Sequence, residues 1–424
     1  MNTLFFILAL IVIVLGSINL IRMALFLIGS DIYGVLQTLE KKRARERQPY
    51  TPRLSVVIPA HNEEHTIENT VLSVLTADYP EDLLEVVIVD DGSTDSTTHI
   101  VRSLIATHPN ANLRLVKQKN AGKAHALNNG MRNYSTGEFI MCLDADSSIA
   151  HDALRNAVRY FEDIRVVALS SNVKIRPTDT LLNLIQQFEY LVCYQMKRAQ
   201  TLFNIEYIIG GIGSTFRRSA LESVGYYDTD TITEDIDLTF KLIHKGNKSH
   251  RAIYGSDVVT YTESVLTLND LIKQRFRWKH GRSQTFLKNT SMFFSCEKKH
   301  NKLLTWAYLP YAIFSDIAFF LEPLVLTFIL YTVFAYADWV TLLSAFVVVG
   351  TYITLNVLAE DTIPWRRRIF LAFIAPTMYG LFYILSYVEY VALLKSYSRA
   401  RELVRKERAH CSWDHVSRVA PNTT

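Results

Sequence analysis

Cysteine is scarce in this chain. Four occur among 424 residues, Cys142, Cys193, Cys296 and Cys411, and no two stand at metal-ligand spacing. A disulfide framework is not expected, and reduced cytosolic thiols are the default. Charge of one sign is scarce too: a net charge of +4 gives no whole-chain signal for nucleic acid as a partner. A Walker-type phosphate loop is missing, because NAGKAHALNNG (120–130) holds Lys123 without the required spacing. What is abundant is apolar sequence, and it is unevenly spread. It concentrates at residues 4–28 and 303–394. The roughly 250 residues between are ample to bury a core of their own.

Residues 4–21, LFFILALIVIVLGSINLI, carry no charge and suffice for a helix across a bilayer. A cleaved signal peptide is the competing reading. The uncharged start, and apolar sequence after Arg22 in place of a small-residue cleavage site, speak against it. Basic clusters at Lys41–Arg47, Arg366–Arg368 and Arg399–Arg408 lie near the apolar blocks, which the positive-inside rule reads as cytoplasmic flanks. A solvated helix face is the alternative for the last cluster. The second block predicts spans at 313–335, 339–358 and 369–394, after an interfacial helix containing Trp306, Tyr308, Pro310 and Tyr311. Three spans from a cytoplasmic start would leave the basic tail outside, against the rule. Either a segment re-enters, with Pro376 and Gly380 as the break, or the tail is an exception to the rule.

The central region alternates short β-rich runs with helical stretches. Strands are predicted at 54–60, 85–91, 113–118 and 138–146, with helices over 66–75, 94–107 and 124–134. That alternation predicts a parallel, nucleotide-binding α/β sheet. Ligands of such sheets bind beyond the carboxyl ends of the strands. Three polar groups fall there: His61-Asn62-Glu63-Glu64, Asp90-Asp91-Gly92-Ser93 and Asp144-Ala145-Asp146. Each could be only a turn or a cap. Two carboxylates one residue apart also suit a hard divalent cation bridging to phosphate oxygens. Two later groups add to these. Glu234, Asp235 and Asp237 cluster in ITEDIDL (232–238), where Thr233 could instead be a helix cap. QRFRW (274–278) brings Arg277 and Trp278, which could be an interfacial anchor. Glycosyl transfer needs a base, a cation for the departing diphosphate and an apolar platform for a sugar ring. Asp235, Arg277 and Trp278 are residues of those three types.

In order, VIPAHNEE (57–64), VIVDDGSTDS (87–96), the Asp-x-Asp at 144–146, Thr-Glu-Asp at 233–235 and Gln-x-x-Arg-Trp at 274–278 resemble the processive inverting family 2 glycosyltransferases. These include the cellulose, hyaluronan, chitin-oligosaccharide and poly-N-acetylglucosamine synthases. The resemblance runs from about residue 50 to the last apolar span. Within the family it is nearest to the poly-β-1,6-N-acetylglucosamine synthases, through 185–200, 225–236 and the short tail holding Trp413. It implies an α/β GT-A-like domain inserted between transmembrane helices of an integral membrane protein. Ala60, Glu63 and Asp91 would hold uracil and ribose, and Lys123 would lie near the diphosphate. Asp144 and Asp146 would bind the diphosphate and Mg²⁺ or Mn²⁺. Asp235 would be the general base. Gln274 and Arg277 would close over the pyrophosphate, and Trp278, with Glu234, would meet the acceptor. The implied partners are a UDP-sugar, the growing polysaccharide and the lipid bilayer, and a small membrane accessory subunit is compatible with it. Two segments depart from the subgroup: KHGRSQTFLKN (279–289), where Ala-Gln-Gly-Gly is expected after the Trp, and GGIGSTF (210–216). Arg401 and Arg405 share the spacing of a PilZ signature, with too little chain after them for a β-barrel.

The expected division is a transmembrane helix (1–30), a basic cytoplasmic linker (31–49), a cytoplasmic GT-A domain (50–300), an interfacial helix plus three spans (301–395) and a polar tail (396–424). The expected activity is synthesis and export of a β-linked polymer, poly-β-1,6-N-acetylglucosamine first. Another β-glycan, or one sugar placed on a lipid carrier, is the alternative. A transporter or receptor with a nucleotide-sensing domain would leave the clustered acids without a task.

Overall fold

The computed structural model describes residues 3–399, apart from the side chains of Leu4 and Arg45. Cys411, Trp413 and the Arg401/Arg405 pair lie outside the described residues. The chain opens with one helix, α1 (Thr3–Arg45), of 43 residues. At about 1.5 Å per residue it is about 65 Å long, roughly twice a hydrocarbon core. The predicted span 4–21 is only its first half. Residues 31–45, expected as a linker, continue the helix.

The predicted strands appear as β1 (Leu54–Ala60), β2 (Leu84–Asp91) and β3 (Leu113–Gln118), all in parallel register. Between them run α2 (Ile67–Leu75) and α3 (Thr97–Thr107), and α4 (Lys123–Asn129) follows β3. β1 and β2 are buried at every position. Their alternate residues feed two cores: Leu54, Val56 and Ile58 on one face, Val57, Val87 and Val89 on the other. The fourth strand is shorter than predicted. β4 (Phe139–Cys142) ends four residues before Asp146, and Ser147 N–H closes a turn on the Asp144 carbonyl at 3.0 Å. The chain then leaves for β5 (Ser147–Ile149), at the opposite edge of the sheet. The Asp-x-Asp is therefore a turn at a sheet-crossing point.

After α5 (Ala153–Arg159) come β6 (Val166–Ile175), α6 (Leu181–Phe203), β7 (Ser214–Arg217), α7 (Arg218–Val224), α8 (Glu234–Lys245), β8 (Arg251–Thr262) and α9 (Leu268–Lys288). The eight strands lie in the order β3-β2-β1-β4-β7-β6-β8-β5. β4 and β7 are antiparallel, with Cys142 opposite Ser214. That junction brings the start of β7, and Gly211 before it, to the carboxyl end of β4.

The second apolar block forms α10 (Leu309–Phe319), α11 (Glu322–Tyr336), α12 (Trp339–Leu358), α13 (Trp365–Ile374) and α14 (Met378–Ser398). Phe5–Ala44, Trp339–Leu358 and Trp365–Ser398 are long and apolar enough to cross a membrane. The pair 303–319 and 322–336 would make a fourth if its 57° bend is one broken span. The predicted span 313–335 is thus broken where Pro323 opens α11. In the predicted span 369–394, residues Ala375–Thr377 form a 3₁₀ turn around Pro376, which packs on Gly350 of α12.

This block is bolted to the sheet domain. Phe188 and Leu191 of α6 share a cluster with Tyr352, Ile353, Leu371 and Ala375. Glu360, between α12 and α13, is fully buried and pairs with Lys174 of β6 at 2.9 Å and Arg198 of α6 at 3.9 Å. Burial opposes its charge, but the two cations win and hold its carboxyl at about 2.

Candidate active site

The strand-end acids do two different jobs. Asp91 is fully buried, and its carboxylate accepts from Gln118 Nε2 (2.8 Å), Ala121 N–H (2.9 Å) and Gly122 N–H (2.8 Å). It fixes the turn that presents Lys123 at the start of α4. Glu63 accepts from Thr66 Oγ1 at 2.8 Å, and its own N–H donates to Thr97 Oγ1. Ala60 is fully buried at the end of β1. Together they shape the rim over β1 and β2.

The second group converges on Gly211. A Cβ built there would lie 3.2 Å from Lys123 Nζ, 3.8 Å from Asp144 Oδ1 and 4.0 Å from Asp235 Oδ2. Three segments far apart in sequence therefore meet around one point. Lys123 Nζ pairs with Asp144 at 2.6 Å and with Glu234 at 3.8 Å. Burial works against the lysine's charge, yet Asp144 and Glu234 push its pKa above the usual value. Asp235 moves the other way for a carboxylate. Burial and the neighbouring Glu234 raise it to about 6, against the pull of Lys123 and Arg277. Its Oδ1 accepts the Ile236 N–H at 2.8 Å. Thr233 stands at the N-cap position of α8, but its hydroxyl makes no cap bond. The acids of that turn are thus not explained by capping.

The Gln-x-x-Arg-Trp helix, α9, sits on this turn. Gly281 is what permits it: a Cβ there would fall 2.4 Å from Thr233 Oγ1. Gly281 is the one position of 279–282 that keeps the residue of the expected Ala-Gln-Gly-Gly, and this close approach is a physical reason for it. Arg277 is exposed, and its charge reaches Asp235. Trp278 lies over the guanidinium of Arg275 at 4.1 Å. Arg275 is itself held by Glu189 (2.7 Å) and Glu389 (3.4 Å). Gln274 is buried, and its Oε1 has no hydrogen-bond partner among the described residues. A buried acceptor without a partner is the kind of group a bound ligand satisfies.

Two acidic groups compete as metal sites. Asp228, Asp230 and Asp237 lie close enough to share one ion. Lys288 Nζ already stands among them at 2.7, 2.8 and 2.8 Å, so an ion does not fit while the lysine is there. Asp144 and Asp146 are half-buried at the sheet crossing, and their hard oxygen donors fit a divalent cation facing a diphosphate. Gly211, Arg275, Glu189 and Lys288 were not singled out by sequence reasoning. Arg275 stands second in QRFRW, and the other three lie in segments already named for their resemblance or departure: Glu189 in 185–200, Gly211 in 210–216 and Lys288 in 279–289.

A curled α/β sheet with acids, a lysine and a buried carboxyl at its crossing point is the frame of a nucleotide-sugar transferase. Residues 55–225 match Glycosyl transferase family 2, so the chain carries a domain of that family with a GT-A-like fold. It is 35% identical over 249 residues to the poly-beta-1,6-N-acetyl-D-glucosamine synthase of Staphylococcus aureus (strain COL), covering 58% of this chain and 57% of that one. The Staphylococcus epidermidis synthase of the same name (strain ATCC 35984) is 35% identical over 238 residues, 56% of each. The chain thus spans little more than half the length of these relatives. Among solved structures, the mannosyltransferase PcManGT from Pyrobaculum calidifontis, in complex with GDP-Man and Mn2+, aligns with a TM-score of 0.56 at 26% identity. The alignment covers 85% of this chain and 99% of that one.

Proposed function

We propose that this chain is a membrane-embedded, processive, inverting glycosyltransferase, and that it builds a β-linked polymer of N-acetylglucosamine from UDP-N-acetylglucosamine. The observation that carries the reading is the convergence of Lys123, Asp144 and Asp235 around Gly211, with α9 packed on the same turn. Asp235 takes the proton of the acceptor hydroxyl. The oxygen then forms a bond to the anomeric carbon from the face opposite the diphosphate. The bond from that carbon to the phosphate oxygen breaks, and the nucleoside diphosphate leaves with its electron pair. Inversion of an α-linked donor gives a β-linkage. Lys123 and Arg277 stabilise the departing charge, which is where preorganised cations are worth most. A Mg²⁺ or Mn²⁺ held by Asp144 and Asp146 would neutralise the same diphosphate. Ala60, Glu63 and Asp91 shape the base and ribose pocket. Gln274 closes over the pyrophosphate with Arg277, and Trp278 receives the acceptor end, with Glu234 beside it. The catalytic domain lies in the cytoplasm, and the apolar helices anchor it in the plasma membrane.

A second reading has its own support. The GDP-mannose-bound mannosyltransferase aligns over nearly its whole length, so a guanosine-linked donor and single-sugar transfer compete. Membranes carrying the full chain should be incubated with labelled UDP-N-acetylglucosamine, UDP-glucose, UDP-glucuronate and GDP-mannose. High-molecular-weight product from the first donor, with 1,6-linkages, is expected. Short, lipid-soluble product, or turnover of GDP-mannose alone, refutes the first reading. Asp235→Asn should abolish turnover while nucleotide binding stays near normal.

A further inference from the structure

Residues 365–398 are long and apolar enough to cross a membrane, and the sequence predicts a span over 369–394. Their contacts point elsewhere. Arg367 donates to Gln187 of α6 at 3.3 Å. Leu371, Ala375 and Met378 pack on Phe188 and Leu191 of α6. Leu385 and Val388 join Ile185 of α6 and Leu271 of α9. Glu389 pairs with Lys279 (3.1 Å) and Arg275 (3.4 Å) of α9. The His280 ring meets the Ser396 hydroxyl at 3.2 Å, and Arg399 lies over Phe276 at 5.1 Å. The start, the middle and the end of this 34-residue stretch are therefore all bonded to α6 or α9 of the sheet domain. Thirty-four residues of helix cover about 50 Å. A helix of that length set across a hydrocarbon core of about 30 Å would carry one end to the far side. It could not keep both ends on one domain.

The outward face supports the same geometry. Ile369, Phe370, Phe373, Tyr383, Tyr387, Leu394 and Tyr397 are exposed, at intervals that mostly suit one helical stripe. Phe373 is 83% exposed. Arg366 and Arg368 stand at one end of the stripe, Lys395 and Arg399 at the other. Tyrosines exposed along a helix, with cations near both ends, are features enriched at the lipid–water boundary. α10 repeats the pattern on a smaller scale. Leu309 and Ala312 face the domain, Asp316 pairs with Lys279 at 3.1 Å, and Ile313, Phe314 and Ile317 are exposed.

We infer that residues 365–398 do not cross the membrane: they lie along its surface on the catalytic side, between lipid and the α6–α9 face. The crossings are then the first half of α1, α11 and α12. Phe5 meets Phe328 at 5.1 Å and Tyr336 at 6.1 Å, so the start of α1 and the end of α11 share the far side. α12 returns, and Glu360 at its end is locked to Lys174. Three crossings put residue 3 on the far side and residue 399 on the catalytic side. All the basic clusters within the described residues then share one side, as the positive-inside rule demands. α11 covers only about 22 Å and thins the bilayer around it.

This inference rests on the membrane reading above but not on the reaction. The full chain, fused after residue 424 to a fluorescent protein or to alkaline phosphatase, should fluoresce and lack phosphatase activity. Nitroxides at positions 373, 383, 387 and 394, with Cys193, Cys296 and Cys411 changed to Ser, should report one shallow depth, about 5–10 Å. An active phosphatase, or depths that pass through the bilayer centre along the series, overturns it. Release of the chain by alkaline carbonate would instead sink the membrane reading itself, and this inference with it.

Discussion

Gly281→Ala is the most demanding test of how α9 meets the Thr-Glu-Asp turn. The added Cβ would lie 2.4 Å from Thr233 Oγ1, 2.5 Å from Cγ2 and 2.9 Å from Cβ. Ordinary contact begins near 3.4 Å, so the approach is short by about 1 Å. Thr233 cannot simply turn away. Both branches of its side chain face α9, and the residue is 5% exposed. α9 must therefore lift. It is held at one end by Lys288 among its three carboxylates and farther along by Arg275, Lys279 and Arg282. Overpacking of this kind costs about 1–3 kcal/mol. A shift of about 1 Å in Gln274, Arg277 and Trp278 costs on the order of 100-fold in turnover. The assay is release of nucleoside diphosphate by purified full-length chain in nanodiscs, with kcat and donor KM fitted separately. kcat should fall on the order of 100-fold, with a smaller change in KM. Thr233→Ala removes the two nearest atoms, so the double variant should recover to within about tenfold of Thr233→Ala alone. A wild-type kcat in Gly281→Ala refutes the reasoning. So does a double variant in which the two losses simply add.

Three further outcomes are expected. Asp235 must be ionised to act as a base, so kcat/KM should fall as pH drops through about 6; Glu234→Gln removes a like charge and should move that acid limb down by roughly one pH unit, and an unmoved limb counts against the assignment. Glu360→Gln strands Lys174 and Arg198 without their buried partner and should destabilise the fold by about 3–5 kcal/mol. Thermal unfolding in detergent checks it, and an unchanged midpoint rejects the role given to that ion cluster. Lys288→Ala vacates the space among Asp228, Asp230 and Asp237, so millimolar Ca²⁺ should raise the unfolding temperature of the variant more than that of the native chain. Equal responses would mean the lysine is not what fills that site.

How much of this was legible depends on how local the physics is. β1 and β2 are continuous apolar runs buried on both faces, and such runs announce themselves. β4 read too long because Leu143-Asp144-Ala145-Asp146 keeps a strand's apolar–polar alternation while the chain is already turning toward another edge of the sheet. Lys123, Asp144 and Asp235 were each visible as motif residues. Their meeting around Gly211 was not, since it depends on β7 running antiparallel beside β4. The shelf under Trp278 is built by Glu189, 86 residues before Arg275, and by Glu389. The linker expected at 31–49 misread a basic stretch that continues a helix, because charge alone does not end one.

α6 has a consequence for anyone handling this protein in pieces. One side of the helix serves the sheet: Thr201 Oγ1 accepts the Tyr254 N–H at 2.8 Å, and Gln186 Nε2 donates to the Val265 carbonyl at 3.0 Å. The other side buries Phe188 and Leu191 under the C-terminal helices, and Ala199 against Gly29 of α1. A fragment trimmed to residues 50–300 would keep every motif residue and expose that whole side to water. It should aggregate or demand detergent although it contains no membrane-crossing segment. The natural boundaries of a fragment of this chain are set by what α6 touches, not by where the apolar sequence begins and ends.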